Sequence, residues 1–88
     1  MIPKDYTTRT PESLAKTITA QRLKKDISTA LFIYNSQLPL SAYEDWKNRR
    51  AKHILKFAAL DSGPFKYSDR LRIVKQIQII AKIYHNEQ

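Results

Sequence analysis

The chain has 88 residues, which is enough for one domain with a modest hydrophobic core. Sixteen Lys and Arg residues against eight Asp and Glu give a net charge of +8, which indicates an anionic partner. Because the sequence contains no cysteine, disulfide frameworks, thiolate metal sites and cysteine catalysis are excluded. One glycine and four prolines are too few for the tight turns of a β-sandwich or barrel.

The beginning of the chain is polar and then changes to a helical pattern. Residues 1–9 lack hydrophobic periodicity and contain Pro3, so we predict a flexible N-terminal arm, followed by a single helical domain over residues 10–88. Thr10 and Pro11 predict the first helix start, since a hydroxyl at the N-cap and proline at the first helical position are both favoured there.

The stretch that follows has no glycine or proline up to Asn35, but its apolar stripe changes direction near residues 17–19. Leu14 and Ile18 lie on one face, and the apolar residues from Ala20 onwards lie on another. The pattern predicts either one bent helix or a short helix followed by a longer one that begins at Ala20.

The next helix is predicted from a local capping signal. Ser41 and Glu44 have the S-x-x-E spacing of a capping box, in which each side chain accepts a hydrogen bond from the other residue's amide. We therefore predict one helix from Ser41 to about Leu60, ended by the turn at residues 61–64. Its predicted buried face is extended by Ala51 and Leu55, and its main residues are Tyr43, Trp46, Ile54, Phe57 and Ala58.

The last helix is predicted from Asp69 to His85. The alternation of Ile77, Gln78 and Ile79 is also compatible with a strand, but about 17 residues without glycine or proline favour a helix. Ile79 and Ile83 form a second apolar stripe, which predicts a homodimer or protein-partner surface. The fold class is therefore an all-α bundle of three to four helices.

Positive charge is concentrated in the helix from Ser41. Residues 47–56 contain five Lys and Arg residues and no acid. Arg49, Lys52 and Lys56 lie within about 60° on the helix, opposite its predicted apolar face, and such a ridge suits a phosphate backbone. We predict secondary contacts to nucleic acid from Lys47, Asn48, Arg50 and His53.

Trp46 has two interpretations in this helix. In the first, Trp46 is a core residue and Arg50 stacks on it one turn later. In the second, Tyr43, Trp46 and Arg50 form a patch that contacts a protein or a base.

The run from Asn48 to Lys52 resembles the middle of the homeodomain recognition helix, where an Asn and several basic residues enter the major groove. Two features depart from that family. Trp46 stands two residues before Asn48 instead of three, and a further apolar helix follows. We therefore assign no family from this resemblance. It shows that this combination of residues is compatible with binding in the DNA major groove.

These patterns predict a small basic regulatory or accessory protein that binds nucleic acid. Duplex DNA is favoured, because a basic helix fits the major groove and no aromatic stacking platform is evident. The alternative is a helical interaction module that acts as an adaptor or inhibitor of a larger protein. We expect no enzyme, cofactor or metal, since neither His53 nor His85 has an acid at ligand spacing and one glycine cannot form a phosphate loop. Without an apolar run of about 20 residues or an export signal, we expect no membrane span and a cytoplasmic protein.

Overall fold

The computed structural model describes residues 2–86, and within them it contains six α-helices and no strand. Four of the helices have seven or more residues, which confirms the all-α bundle. The six helices in chain order are α1 (Asp5–Thr8), α2 (Pro11–Thr17), α3 (Ala20–Ser36), α4 (Leu40–Glu44), α5 (Trp46–Ala59) and α6 (Tyr67–Asn86).

Helix α6 is the centre of the fold. It packs against α1, α2, α3 and α5, and its 20 residues form the longest of the six helices. A helix contacted on several sides needs a wide apolar arc, which the Ile-rich sequence supplies. The strand alternative at residues 77–79 is therefore wrong. The apolar arc of α6 that is buried in the core consists of Ile73, Val74, Ile77, Ile80, Ala81 and Tyr84.

Threonine caps separate α2 from α3. The Thr10 hydroxyl accepts a hydrogen bond from the Ser13 amide at 3.2 Å, which confirms the first predicted helix start. The Thr19 hydroxyl accepts from the Arg22 amide at 3.1 Å and begins α3. The interpretation of a short helix followed by a longer one is thus correct, and the bent single helix is wrong.

Residues 2–9 do not form the predicted flexible arm, and residue 1 lies outside the described part of the chain. Ile2 and Tyr6 are buried in the core, and α1 packs against α6. The Tyr6 hydroxyl donates to Asp26 Oδ2 at 2.5 Å, and Arg22 Nη2 donates to Asp5 Oδ1 and Oδ2 at 2.7 and 2.8 Å. This polar cluster joins α1 to α3, so the described residues before Thr10 belong to the domain.

Substituting Tyr6 tests this anchoring. Tyr6→Phe keeps the ring but removes a hydrogen bond to a carboxylate, so the free energy of unfolding should fall by about 1.5–3 kcal/mol at neutral pH. Urea denaturation measures it, with Tyr67→Phe at an exposed position of α6 as the matched control. Equal stability of the two variants would show that α1 is not held by this contact.

The buried Tyr6 hydroxyl should also make the free energy of unfolding depend on pH. Burial, and next the hydrogen bond to Asp26, raise the pKa of Tyr6 above its ordinary value of 10.0. The unfolded chain therefore releases this proton at a pH where the folded chain keeps it. The contribution to stability is complete below pH ~10 and is lost as the pH rises further. Stability should thus fall less steeply with pH in Tyr6→Phe than in the parent when denaturation is measured between about pH 9 and 11.

The predicted single helix from Ser41 to Leu60 is wrong. Asp45 has extended backbone angles (φ −74°, ψ 124°) that end α4 and begin α5. Its carboxylate accepts a hydrogen bond from the Lys47 amide at 2.8 Å, and Ser41 caps no helix because α4 begins after Pro39 without a side-chain cap. Short acidic side chains compete with the helical backbone in this way, so Asp45 replaces the predicted capping box.

A pair of alanine substitutions distinguishes the two starts. Asp45→Ala should lower stability by about 1 kcal/mol, which corresponds to a melting temperature roughly 4–8 °C lower, because α5 loses its N-cap. Ser41→Ala should leave the melting temperature unchanged. Thermal unfolding followed by circular dichroism measures both, and the reverse ranking would contradict the observed helix boundary.

Candidate nucleic-acid interface

The side of α5 that faces the core is short of large apolar residues. Asn48, Ala51 and Leu55 are its buried residues. The opposite side carries Trp46 and Phe57, which are 61% and 75% exposed. The predicted buried face is therefore wrong for these two aromatic residues. The predicted burial of Ala51 and Leu55 is confirmed, but hydrophobic periodicity missed Asn48, because an asparagine contributes nothing to an apolar pattern.

Asn48 has a structural role. It is only 5% exposed, and its Nδ2 donates a hydrogen bond to the Ala42 carbonyl at 3.1 Å. Ala42 lies in α4, so this bond ties α4 to α5 across the break at Asp45. A buried amide needs such a partner, since burying it without one is costly. The predicted contact of Asn48 with nucleic acid is contradicted by this burial.

The three residues of the predicted phosphate ridge have different surroundings. Arg49 and Lys56 are exposed. Lys52 is half-buried, and its Nζ lies 5.3 Å from the centre of the Tyr34 ring, which is cation–π geometry. Burial raises the pKa of Tyr34, and the nearby charge of Arg49 opposes that rise. The ridge therefore borders α3, and only Arg49 and Lys56 are fully available to a ligand.

A second set of polar side chains lies around the two exposed aromatic rings. Lys47, Arg50 and His53, all predicted as secondary contacts, are exposed. Arg72 of α6 lines the same groove as Trp46 and Phe57, although nothing in the sequence pairs it with α5. Only the packing of α5 on α6 brings it there. We call the combined surface the aromatic–basic face, which consists of Trp46, Arg49, Arg50, His53, Phe57 and Arg72.

The guanidinium groups of this face are not used internally. Among residues 2–86, the side chains of Arg49, Arg50 and Arg72 form no ion pair and donate no hydrogen bond. The acids near the face lie at its margins. Asp45 precedes α5, and Asp61 and Asp69 line the neighbouring cavity with Phe57 and Arg72. The centre of the face is therefore positive and able to bind an anion.

The predicted partner residues of α6 are both half-buried. Ile83 packs against the hydrophobic core. Ile79 lines a cavity together with Trp46, Arg50 and Arg72, so it extends the aromatic–basic face with an apolar edge. Of the two residues, Ile79 is the one that a ligand of that face could contact.

Comparisons of the chain with protein-family models, curated proteins and solved structures found no match. Within residues 2–86, none of the helices combines the length and hydropathy needed to cross a bilayer. Nor do three acidic or histidine side chains of those residues cluster as a metal site would require. The chemistry of the aromatic–basic face is therefore what indicates its ligand.

Proposed function

We propose that this chain is a small cytoplasmic nucleic-acid-binding protein of regulatory or accessory type, which binds phosphates through α5 and Arg72. The observation that carries this proposal is the group of three exposed arginines on one face that have no partner among residues 2–86. Arginine has a planar array of donors that matches phosphate oxygens in pairs. A surface that keeps three such groups unpaired is suited to a polyanion.

The distribution of charge supports the same ligand. The chain carries a net charge of +8, and five of its cations lie within residues 47–56. Neutralising phosphates with these cations releases condensed counterions, which supplies affinity independent of sequence. Double-stranded DNA is one polyanion of this kind, and its major groove of about 12 Å is wide enough for a helix such as α5.

Salt dependence tests the proposal. In the triple variant Arg49→Ala, Arg50→Ala and Lys56→Ala, the slope of log K against log salt on duplex DNA should decrease in magnitude by ~0.9 for each lost phosphate contact. Folding should be nearly unchanged, because exposed charges contribute little to stability. Fluorescence anisotropy of a labelled duplex across a salt series measures the slope.

A second triple variant provides the control. Lys4→Ala, Lys16→Ala and Lys25→Ala remove the same charge from exposed positions outside α5. If α5 holds the phosphates, this variant should keep most of the parental slope. An equal loss in the two variants would show a diffuse effect of net charge, and a parent protein that binds no nucleic acid at low salt would refute the proposal.

The alternative function is a protein-interaction module, and the half-buried Ile79 beside Trp46 favours it. An apolar edge next to exposed aromatic residues is typical of protein interfaces, which are enriched in aromatic residues and arginine. The occupant would be a second copy of the chain or a larger protein.

Sedimentation tests the homodimer form of this alternative. If Ile79 lies in a dimer interface, the parent should sediment as a dimer at micromolar concentration and Ile79→Glu as a monomer. Gln76→Glu adds the same charge to the same cavity and serves as the control. A monomeric parent would exclude the homodimer.

A further inference from the structure

Two large aromatic side chains of α5 are exposed where a helix of a small domain normally carries polar residues. Trp46 and Phe57 stand on the same side of the helix, since eleven residues correspond to about three turns and a residual rotation of only about 20°. Arg50 and His53 lie between them on nearly the same line. Along its outer surface, α5 therefore presents tryptophan, arginine, histidine and phenylalanine in succession.

The spacing of the two rings matters for what they can contact. Eleven residues of helix rise about 16 Å, whereas stacked bases are about 3.4 Å apart along one strand. Trp46 and Phe57 are therefore too far apart to stack on two adjacent bases. They can stack on two bases of an extended strand that are several nucleotides apart. The exposed Arg50 then lies between the two stacking positions, close to the backbone that joins those bases.

Exposed aromatic rings cannot stack on the bases of intact duplex DNA. In a duplex the base faces are covered by neighbouring bases, and a helix in the major groove meets only base edges and thymine methyl groups. In a single strand the base faces are free, and each stacks on an aromatic side chain regardless of sequence. Positive charge beside aromatic platforms is the combination that single-strand-binding surfaces use.

We propose that the aromatic–basic face binds single-stranded nucleic acid in preference to duplex, with separate bases stacked on Trp46 and Phe57. The phosphates between and beside these bases are held by Arg49, Arg50 and Arg72. This inference rests on the proposed function and narrows it to one class of nucleic acid. The stacking chemistry is shared by DNA and RNA strands, so both are arms of the test.

The chain contains one tryptophan, so its intrinsic fluorescence reports Trp46 directly. The full chain is titrated with a single-stranded oligo-dU, a single-stranded oligo-U, which differs from it only in the 2′-hydroxyl, and a duplex DNA of equal phosphate number at one salt concentration. We expect both single strands to quench Trp46 and at least one to bind more tightly than the duplex. The stronger of the two single strands identifies the natural sugar.

Two substitutions measure the contribution of stacking. By anisotropy of labelled oligonucleotides, Trp46→Ala and Phe57→Ala should each weaken single-strand binding roughly 5- to 150-fold, the range that corresponds to about 1–3 kcal/mol for one stacked base. Duplex affinity should change less than about twofold. Trp46→Phe should restore part of the loss, because the ring is retained.

Phe32→Ala is the matched control, because Phe32 is 61% exposed on α3, outside the aromatic–basic face. It should bind single strands like the parent. Thermal unfolding of each variant checks the fold, and all three positions are exposed, so melting temperatures should stay close to that of the parent.

The outcomes separate this inference from the proposed function. Equal affinity for duplex and single strands, with Phe57→Ala and Phe32→Ala both unchanged, would overturn base stacking and the preference for single strands and leave the salt-slope proposal intact. No binding to any oligonucleotide would overturn both. Binding to polyglutamate alone, lost in Phe57→Ala, would overturn both in favour of an acidic protein partner.

Discussion

The structure depends on the burial of α6 by its neighbours. Four of the other helices contact it, and its isoleucine-rich arc supplies much of the core. A helix of this kind is unstable alone in water, so the positions of α1, α2, α3 and α5 are all set by the apolar surface that each covers. The packing of α5 on α6 also places Arg72 beside Trp46, and the candidate interface is thus a product of the core.

The rotation of α5 about its own axis decides what the protein presents to solvent. Asp45 separates α4 from α5, and the buried Asn48 amide donates a hydrogen bond to the Ala42 carbonyl across this break. Asn48, Ala51 and Leu55 together form the buried face of α5, which has few large side chains and packs against α3 and α6. A rotation that buried Trp46 would expose Leu55 and leave the Asn48 amide without its partner. The exposed aromatic rings are therefore a consequence of a satisfied polar contact.

The arginines of the chain divide into those used by the fold and those left to a ligand. Arg22 bonds to Asp5 and Asp26, and both carboxylates are held there by α1 and α3. Arg9 donates to Ser13 within the same part of the chain, and the Arg70 side chain donates to the carbonyls of Phe65 and Ile18. Net charge alone overstates the positive potential available to a partner. Among the arginines, the three of the aromatic–basic face are the ones that remain available to a partner.

The sequence by itself determined the all-α class, the N-cap at Thr10 and the position of the long last helix, and it indicated a bend or a break near residues 17–19 without deciding between them. Those features are local, since caps and a 3.6-residue period act within one element. It also identified α5 as the basic helix. It failed for the orientation of that helix, for the N-terminal residues and for Arg72, because each depends on residues distant in sequence. Periodicity ranks the faces of a helix by apolar content, but the face that is buried is the one whose shape and hydrogen bonds match its neighbours. Periodicity could not choose Asn48 over Trp46 for the core, because it is the packing of α4 against α5 across the break at Asp45 that brings the Ala42 carbonyl to the asparagine amide.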